Sequence, residues 1–554
     1  MQKNIRIKPA NRQEEQASID IILQGVKDNI KSKRQLFLLQ RKFCEKYKIN
    51  FVSNPVLLNT YRILLKEKKI TENKDLFELL RKRRIRTSSG IASVAVLTKP
   101  YECPGKCVFC PTQEDIPKSY IDNEPAVMRA VLAKFDPISQ MQIRLRGFKL
   151  AGNPADKIEL IVMGGTFSYL PKDYQLKFIV SCFAACNRFD NKLQMSKFKR
   201  QIKPKMSNNQ LLQLLKKEQK RNETAKYRII GLTLETRPDY IDEREVSWFR
   251  ELGCTRVELG VQSIDDEILS LNHRGHGCRE TARATQLLKN AGFKICYHMM
   301  PNLYGSDIDK DLATFKQLFT DERFQPDMIK IYPCVVTKYA KLQEIYEKGK
   351  YIPYTDEQLI ELLKKIKEII PPYVRIQRLI RDIPADNIIA GSKVSNLRQI
   401  LQLKHAKCQC IRCREIRELA KKNIRLDRIN YDASGGKEIF LQYIDEDNRL
   451  YGLLRLRINK IDLMSSSKRK FKIYPAIIRE VHTYGPLLEV GARSKKDPQH
   501  SGIGMRLIAE AQRIAKEEYN CTKIAVISGV GVRDYYRKSG YKLKNTYMEK
   551  NINN

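Results

Sequence analysis

Cys103, Cys107 and Cys110 lie in the run TKPYECPGKCVFCPT at the spacing C-x3-C-x2-C, short enough for one loop to wrap a metal centre. Soft thiolates select iron–sulfur clusters or zinc over hard cations. Three of them would hold three irons of a [4Fe–4S] cube and leave the fourth open to a substrate-like ligand. A zinc site wants a fourth ligand close by, and the nearest histidine in the chain is His273. Three packed core cysteines are the bland alternative, which the surrounding Pro104, Gly105 and Pro111 argue against. A second group, HAKCQCIRC, offers His405, Cys408, Cys410 and Cys413 as H-x2-C-x-C-x2-C. That is the donor set of a tetrahedral structural zinc site, with a second iron–sulfur cluster as the minor alternative. A third feature is QHSGIGMRLIAEAQRIAKEEY, a glycine loop opening an amphipathic helix. There Gln499, Ser501, Gly502, Ile503, Gly504 and Met505 would aim free backbone N–H groups at a pyrophosphate.

These groups need elements to hold them. From about residue 87, strand-like runs alternate with helical stretches: GIASVAVLT, IELIVMGGTF, RIIGLTLETRPD, RVELGVQS, FKICYHMMP and MIKIYP. The intervals are long enough for crossover helices, which predicts a parallel sheet of βα units, open or partly closed into a barrel. Ligands of such sheets bind at the carboxyl ends of the strands, and the cysteine loop follows the first strand. Glu235 and Gln262, at predicted strand ends, are candidates for polar contacts there. From about residue 431, EIFLQYIDEDNRLYGLLRLRI reads as a hairpin with DEDN at its turn. AIIREVHTYGPLLEV (476–490) reads as a further strand ahead of the glycine-loop helix.

The bulk properties frame this. A chain of 554 residues exceeds one hydrophobic core. The expected division is a basic helical domain over 1–86, a βα domain over 87–388, a connector over 389–430 and an α/β domain over 431–554. In the first, apolar residues recur at helical spacing, with Asn54 expected to cap a helix that Pro55 starts. Residues 1–90 carry 22 Lys and Arg against 9 Asp and Glu, ending in Arg81, Lys82, Arg83 and Arg84, and KFKRQIKPK (197–205) adds more. The net charge of +40 favours a polyanionic partner, most simply a nucleic acid. No stretch is long and apolar enough for a transmembrane helix, and no signal peptide is evident. Six of fourteen cysteines fall in two metal-like groups, so a reducing, cytoplasmic compartment is expected.

The cysteine loop resembles that of radical S-adenosylmethionine (SAM) enzymes, and the order strand, Q-x-x-G-x-G helix, strand, YYRKSGY resembles a GNAT acetyltransferase. With CPGKC-x2-C, MGGTF, IREVHTYG, QHSGIG and ISGVGVRDYYRKSGY in one chain, the sequence resembles the catalytic subunits of the Elongator family, of the stand-alone bacterial and archaeal type. The resemblance implies a radical SAM partial barrel, a zinc linker and a GNAT domain. It implies an enzyme making 5-carboxymethyluridine at the wobble position of tRNA from acetyl-CoA, with no obligate protein partner. A radical drawn from SAM would take hydrogen from the acetyl methyl group. The carbon radical would add to uridine C5, and thioester hydrolysis would leave a carboxymethyl group. By the same resemblance Gly164, Gly165 and Thr166 meet the SAM amino group, while Lys294 and Tyr332, also at strand ends, face the reaction chamber. Glu480, Val481, His482 and Thr483 line the pantetheine, Tyr535 and Tyr536 lie near the thioester and CoA, and Lys157 reaches a CoA phosphate. The rival readings are a protein lysine N-acetyltransferase with a structural cluster, and an RNA-binding scaffold with inactive domains.

Overall fold

Four helices, Arg12–Lys27, Lys33–Lys46, Asn54–Lys66 and Lys74–Leu80, bury one apolar stripe each around Ile21, Ile22, Leu39, Leu57, Tyr61 and Leu76. The structure is a computed structural model and describes residues 8–81, 90–203, 205–416, 423–460, 471–485 and 502–553. The helices belong to the first of two units, Met1–Ala92 with Gln142–Lys157; the second is Ser93–Met141 with Ile158–Asn554. The Asn11 side chain caps the first helix at 2.8 Å from the Glu14 N–H, and Ser32 and Gln35 form a reciprocal capping box on the second. The third departs from expectation. Ser53 precedes it without a side-chain cap, Pro55 occupies its first turn, and the Asn54 amide donates to the Leu79 carbonyl at 3.4 Å. Lys33, Arg34, Lys42, Lys66, Lys68 and Lys69 remain exposed on this unit.

The second unit holds two seven-stranded sheets and a two-stranded one. Its first strands are β1 (Ala92–Leu97), β2 (Lys157–Met163), β3 (Arg228–Thr236), β4 (Arg256–Gln262), β5 (Lys294–Met299), β6 (Met328–Ile331), β7 (Val336–Thr337), β8 (Arg375–Arg378) and β9 (Ile388–Ala390). β1 to β6 and β8 hydrogen-bond in sequence order as a curled parallel half-barrel, while β7 pairs antiparallel with β9. A parallel sheet buried on both faces normally reads as a continuous apolar run. β4 and β5 instead alternate. Val257, Leu259, Ile295 and Tyr297 are fully buried on one face, and Arg256, Glu258, Lys294 and His298 share the other. The polar inner face is where chemistry can sit.

The second sheet comprises β10 (Arg425–Ala433), β11 (Gly436–Ile444), β12 (Leu450–Asn459), β13 (Ala476–Thr483), β14 (Lys523–Val526), β15 (Lys542–Lys544) and β16 (Tyr547–Asn551), in the order β10-β11-β12-β13-β14-β16-β15. DEDN lies in the β11–β12 turn, and β10 begins at Arg425, ahead of residue 431. β13 pairs in parallel with β14 only through Ala476, Ile477 and Ile478, then runs on to Thr483, so Glu480 to Thr483 present an edge that β14 does not cover.

The two sheets meet across buried ions. Arg479 of β13 donates to Asp327, just ahead of β6, at 2.9 and 2.5 Å, and to the Phe293 carbonyl at 2.6 Å. Arg455 of β12 reaches Glu480 at 2.9 Å and the Tyr373 carbonyl at 2.7 Å. Tyr373 and Tyr431 stack at 3.9 Å beside them. Gly529 and Gly531 complete the contact. A Cβ at Gly529 would lie 1.9 Å from the Ile230 carbonyl oxygen, and one at Gly531 2.6 Å from Arg228 Cβ. These glycines permit close approach to β3.

Candidate active site

The cysteine loop leaves the carboxyl end of β1, where the Thr98 N–H bonds the Met163 carbonyl of β2 at 3.0 Å. Gly164, with φ +133°, follows directly; a Cβ there would sit 2.0 Å from Thr98 Oγ1, so only glycine fits. Gly165, with φ +91°, lies beside the Lys118 carbonyl, and Lys118 Nζ donates to Gly105 of the cysteine loop at 2.7 Å. The glycine motif and the loop thus adjoin. Cys107 and Cys110 line a cavity of about 280 Å³ with Lys106, Lys118, Tyr339 and Lys341. The Cys107 thiol is drawn down to about 5 by its hydrogen bond with Cys110, against burial and with help from the Arg274 and Arg237 charges. The Cys103 sulfur accepts the Gly105 N–H at 3.4 Å.

Two buried guanidiniums flank the loop. Arg274 Nη1 donates to the Cys107 sulfur at 3.4 Å, and Arg237 is gripped by Asp239 at 2.9 and 2.8 Å while its Nη1 stays buried without a partner. Three soft donors in one loop, two cations and an unpartnered buried N–H suit an anionic iron–sulfur cluster.

Deeper in the half-barrel, Glu258 of β4 meets His298 Nε2 at 3.0 Å and also pairs with Lys330 of β6 and Arg256. Burial pushes Glu258 up, but the Lys330 charge and the His298 hydrogen bond outweigh it and hold the carboxyl well below its ordinary range. Glu258, Cys296 and His298 lie close enough for a metal, yet Lys330 already supplies the cation, so this is an ion-pair network. Tyr332, just past β6, sets its ring edge-on to His298 at 5.5 Å. Glu235 accepts the Tyr120 hydroxyl at 2.8 Å, and Gln262 ends β4 at φ +73°.

At the opposite, amino-terminal end, Lys294 opens β5 and its Nζ lies 3.2 Å from Glu480 of β13, joining the two sheets. Burial raises the Glu480 carboxyl, but the charges of Lys294 and Arg455 prevail and bring it to about 2. His482 is pushed down to about 4 by burial, so it is neutral near pH 7, and its Nε2 is buried without a partner. Gly502, at φ +76°, starts the helix Ile503–Arg513. A Cβ on Gly504 would meet Tyr535 Oη at 2.6 Å, and Tyr535 packs edge-on against buried Tyr536 at 5.4 Å.

In the connector, the sulfurs of Cys408, Cys410 and Cys413 lie within 4.8 Å of one another. Thiolates on one tetrahedral ion with Zn–S bonds of ~2.3 Å stand ~3.8 Å apart, so this is single-ion spacing. Hydrogen bonds from Cys408 and Cys413 hold the Cys410 thiol down at about 2. His405, at φ +51°, is not part of the group.

Residues 99–318 match the radical SAM superfamily model, and residues 326–407 match the radical SAM C-terminal domain model. The chain is 43% identical to the tRNA uridine(34) acetyltransferase of Methanocaldococcus infernus, over 87% of this chain and 89% of that one. It is 42% identical to the protein of the same name from Dehalococcoides mccartyi, over 85% and 100%. Elongator complex protein 3 of Drosophila melanogaster is 38% identical over 98% and 97%. This chain belongs to the Elongator catalytic-subunit family. The solved structure of archaeal Methanocaldococcus infernus Elp3 with an N-terminal deletion matches with a TM-score of 0.68 at 39% identity, covering 84% of this chain and 99% of that one. Membership in the radical SAM superfamily carries with it a [4Fe–4S] cluster and SAM.

For this Elongator-family chain the structure brings Cys107 and Cys110 together in one cavity with Lys118, whose carbonyl lies beside Gly165, and joins Lys294 to Glu480. Lys157 opens β2, half-buried, and Thr166 follows the glycines. Val481 and Thr483 lie along the β13 edge that β14 does not cover, and Met505 is 41% exposed on the helix. Arg81 is engaged with Glu78 at 2.5 Å and Asn153 at 3.3 Å, its side chain only 12% exposed, so it is not a free cation. Lys82, Arg83, Arg84, Gln499 and Ser501 lie outside the described residues. Sequence reasoning missed Arg237, Arg274, Glu258, His298 and Lys330. The polar–apolar alternation of β4 and β5 was the available signal for Glu258 and His298, and the lysine between Ile329 and Ile331 of β6 was the signal for Lys330. Among the described residues no helix is long and apolar enough to cross a membrane.

Proposed function

We propose that this chain modifies the wobble uridine of tRNA: the acetyl methyl carbon of acetyl-CoA joins uridine C5, the methyl hydrogen leaves in 5′-deoxyadenosine, the C5 hydrogen leaves as a proton while the base gives back the one electron spent on cleaving SAM, and hydrolysis releases CoA to leave 5-carboxymethyluridine. The relatives' names, tRNA uridine(34) acetyltransferase, support the substrate. The Lys294–Glu480 pair carries the reading: it ties the radical half-barrel to the uncovered β13 edge, where an extended thioester arm would bond as a strand neighbour. Cys103, Cys107 and Cys110 would hold the cluster, and the Gly164–Gly165 backbone, Glu235 and Gln262 would contact SAM. Bound together, cluster and SAM supply a radical able to take hydrogen from a methyl group. Gly502, Ile503 and Gly504 N–H groups would receive the CoA pyrophosphate, and Tyr332, edge-on to His298, would face the chamber where the acyl and base meet. A wobble base is unstacked readily enough to enter.

The decisive experiment is anaerobic incubation with tRNA, SAM, acetyl-CoA and reductant, followed by nucleoside mass spectrometry. Carboxymethyluridine supports the reading. Acetylation of a lysine peptide with unmodified tRNA would favour the protein acetyltransferase instead. Gly504→Glu should abolish acetyl-CoA binding by calorimetry, since its side chain meets Tyr535 Oη and brings a carboxylate to the pyrophosphate. SAM cleavage without tRNA should be retained.

Cys408, Cys410 and Cys413 are proposed zinc ligands that brace the connector between the sheets. A protein with Cys103, Cys107 and Cys110 replaced isolates this site. Cys410→Ser should then drop zinc from about one per chain to near none; unchanged zinc sinks the assignment, and His405→Ala tells whether His405 supplies the fourth ligand.

The basic amino-terminal unit, together with the exposed Lys197, Lys199 and Arg200, is proposed to grip tRNA phosphates. Replacing Lys82, Arg83 and Arg84 with Gln, leaving Arg81 to its structural role, should weaken tRNA binding. It should also flatten the log affinity against log salt slope by about 2 to 3. Filter binding at several salt concentrations reads this; an unchanged slope would make the run a solvated face.

A further inference from the structure

A cavity of about 680 Å³ borders the cysteine loop, and its wall includes Gly105, Arg237, Arg274 and His276. Arg237 directly follows β3, and Arg274 lies in the turn between the helices Asp266–Leu271 and Cys278–Asn290, yet the two form one assembly. Arg274 Nη2 is anchored on the Gly260 carbonyl of β4, and the Arg274 carbonyl receives Arg237 Nη2 at 2.9 Å. Asp239 grips Arg237 from below. The loop is moulded on this pair: a Cβ at Gly105 would lie 2.1 Å from Arg237 Nη1, and one at Gly275 3.2 Å from Arg237 Nη2. Both arginines are 5% exposed. Their neighbour His276 bonds the Gly260 carbonyl at 3.4 Å and adds no positive charge, being held neutral by burial and by Arg274.

We propose that Arg274, braced by Arg237, is a redox-positioning residue: its Nη1–H···Sγ bond to Cys107 raises the reduction potential of the cluster and so favours its one-electron reduction. Reduction adds negative charge to a group already anionic. A permanently charged donor held on one sulfur, in a poorly solvated place, stabilises that state more than the oxidised one. Arg237 contributes charge but no bond to a sulfur, so its effect is the smaller.

The inference rests on the cluster-binding part of the proposed function and not on the tRNA product. The test is a mediator-poised redox titration of full-length, anaerobically reconstituted protein without SAM or tRNA, followed by the electron paramagnetic resonance signal of the reduced cluster, with iron counted per chain. Arg274→Gln should keep its iron and show a reduced-to-oxidised ratio about tenfold lower at fixed potential, about 59 mV for one electron. Arg274→Lys, which keeps the charge but not the fork, should fall between, and Arg237→Gln should shift less than Arg274→Gln. A wild-type midpoint in Arg274→Gln, or a larger shift in Arg237→Gln, overturns the proposal. Where Arg274→Gln takes up no iron, Arg274→Lys decides by the same readout: a lowered midpoint supports it and a wild-type one overturns it. Wild-type protein that binds no iron would instead sink the reading beneath it.

Discussion

Cys107→Ala will reduce SAM cleavage to background, a loss of a thousandfold or more, and will leave the protein folded but without its full iron. Cys107 is one of only three soft donors in the loop, is 5% exposed, and shares a hydrogen bond with Cys110 and another with Arg274. Removing it takes a ligand from the cluster and also strands the Arg274 fork, a buried charge with one fewer acceptor. The alanine itself costs little in packing, because the sulfur borders a cavity. The measurement is 5′-deoxyadenosine formed under dithionite, with iron content and far-UV circular dichroism on the same sample. Undiminished 5′-deoxyadenosine from protein lacking Cys107 would show that the radical chemistry does not originate at this loop.

Much of this site was legible because its signals are local. Cys103, Cys107 and Cys110 are a motif by spacing, and Gly164 is one because a strand must turn beside Thr98 where no Cβ fits. The parallel half-barrel and the second sheet followed from the alternation of strand and helix patterns, which topology rules convert to architecture. What was not legible depends on where distant residues meet. Arg237 and Arg274 read as two more cations in a chain full of them, and only the fold brings the residue after β3 against Gly105 and the turn ahead of the helix Cys278–Asn290 against Cys107. Gly529 and Gly531 serve close packing on β3, a contact that the sequence does not show. Arg81 shows the opposite failure: a charge run looks uniformly solvated, yet its first member is paired with Glu78 and Asn153. His405 fits a four-ligand spacing, but its ring does not lie among the three sulfurs.

Asp327→Asn should cost about 3 kcal/mol of stability, toward the lower end of the ~3–5 kcal/mol expected when one partner of a buried ionic network is removed. Asp327 is fully buried and neutralises Arg479 and Arg455, which belong to the other sheet and are themselves buried. The amide preserves size and one acceptor, so the loss is electrostatic. It is limited because Glu438 stays 2.8 Å from Arg479 and Glu480 2.9 Å from Arg455. The pH dependence follows from the same geometry. Burial pushes Asp327 up, but the Arg479 and Arg455 charges prevail and depress its carboxyl far below the usual Asp value of about 3.9, and Glu480 sits at about 2. Carboxylates depressed in the folded state contribute stability that is fully present above their unfolded values and is lost as pH falls through the folded ones. Wild-type protein should therefore lose stability steeply below about pH 4, with Asp327→Asn weaker at neutral pH and flatter on the acid limb. Urea unfolding across pH 2 to 7 measures both. Equal midpoints at pH 7, or parallel acid limbs, would mean that Glu438 and Glu480 alone neutralise the two arginines and that Asp327 does not clamp the two sheets.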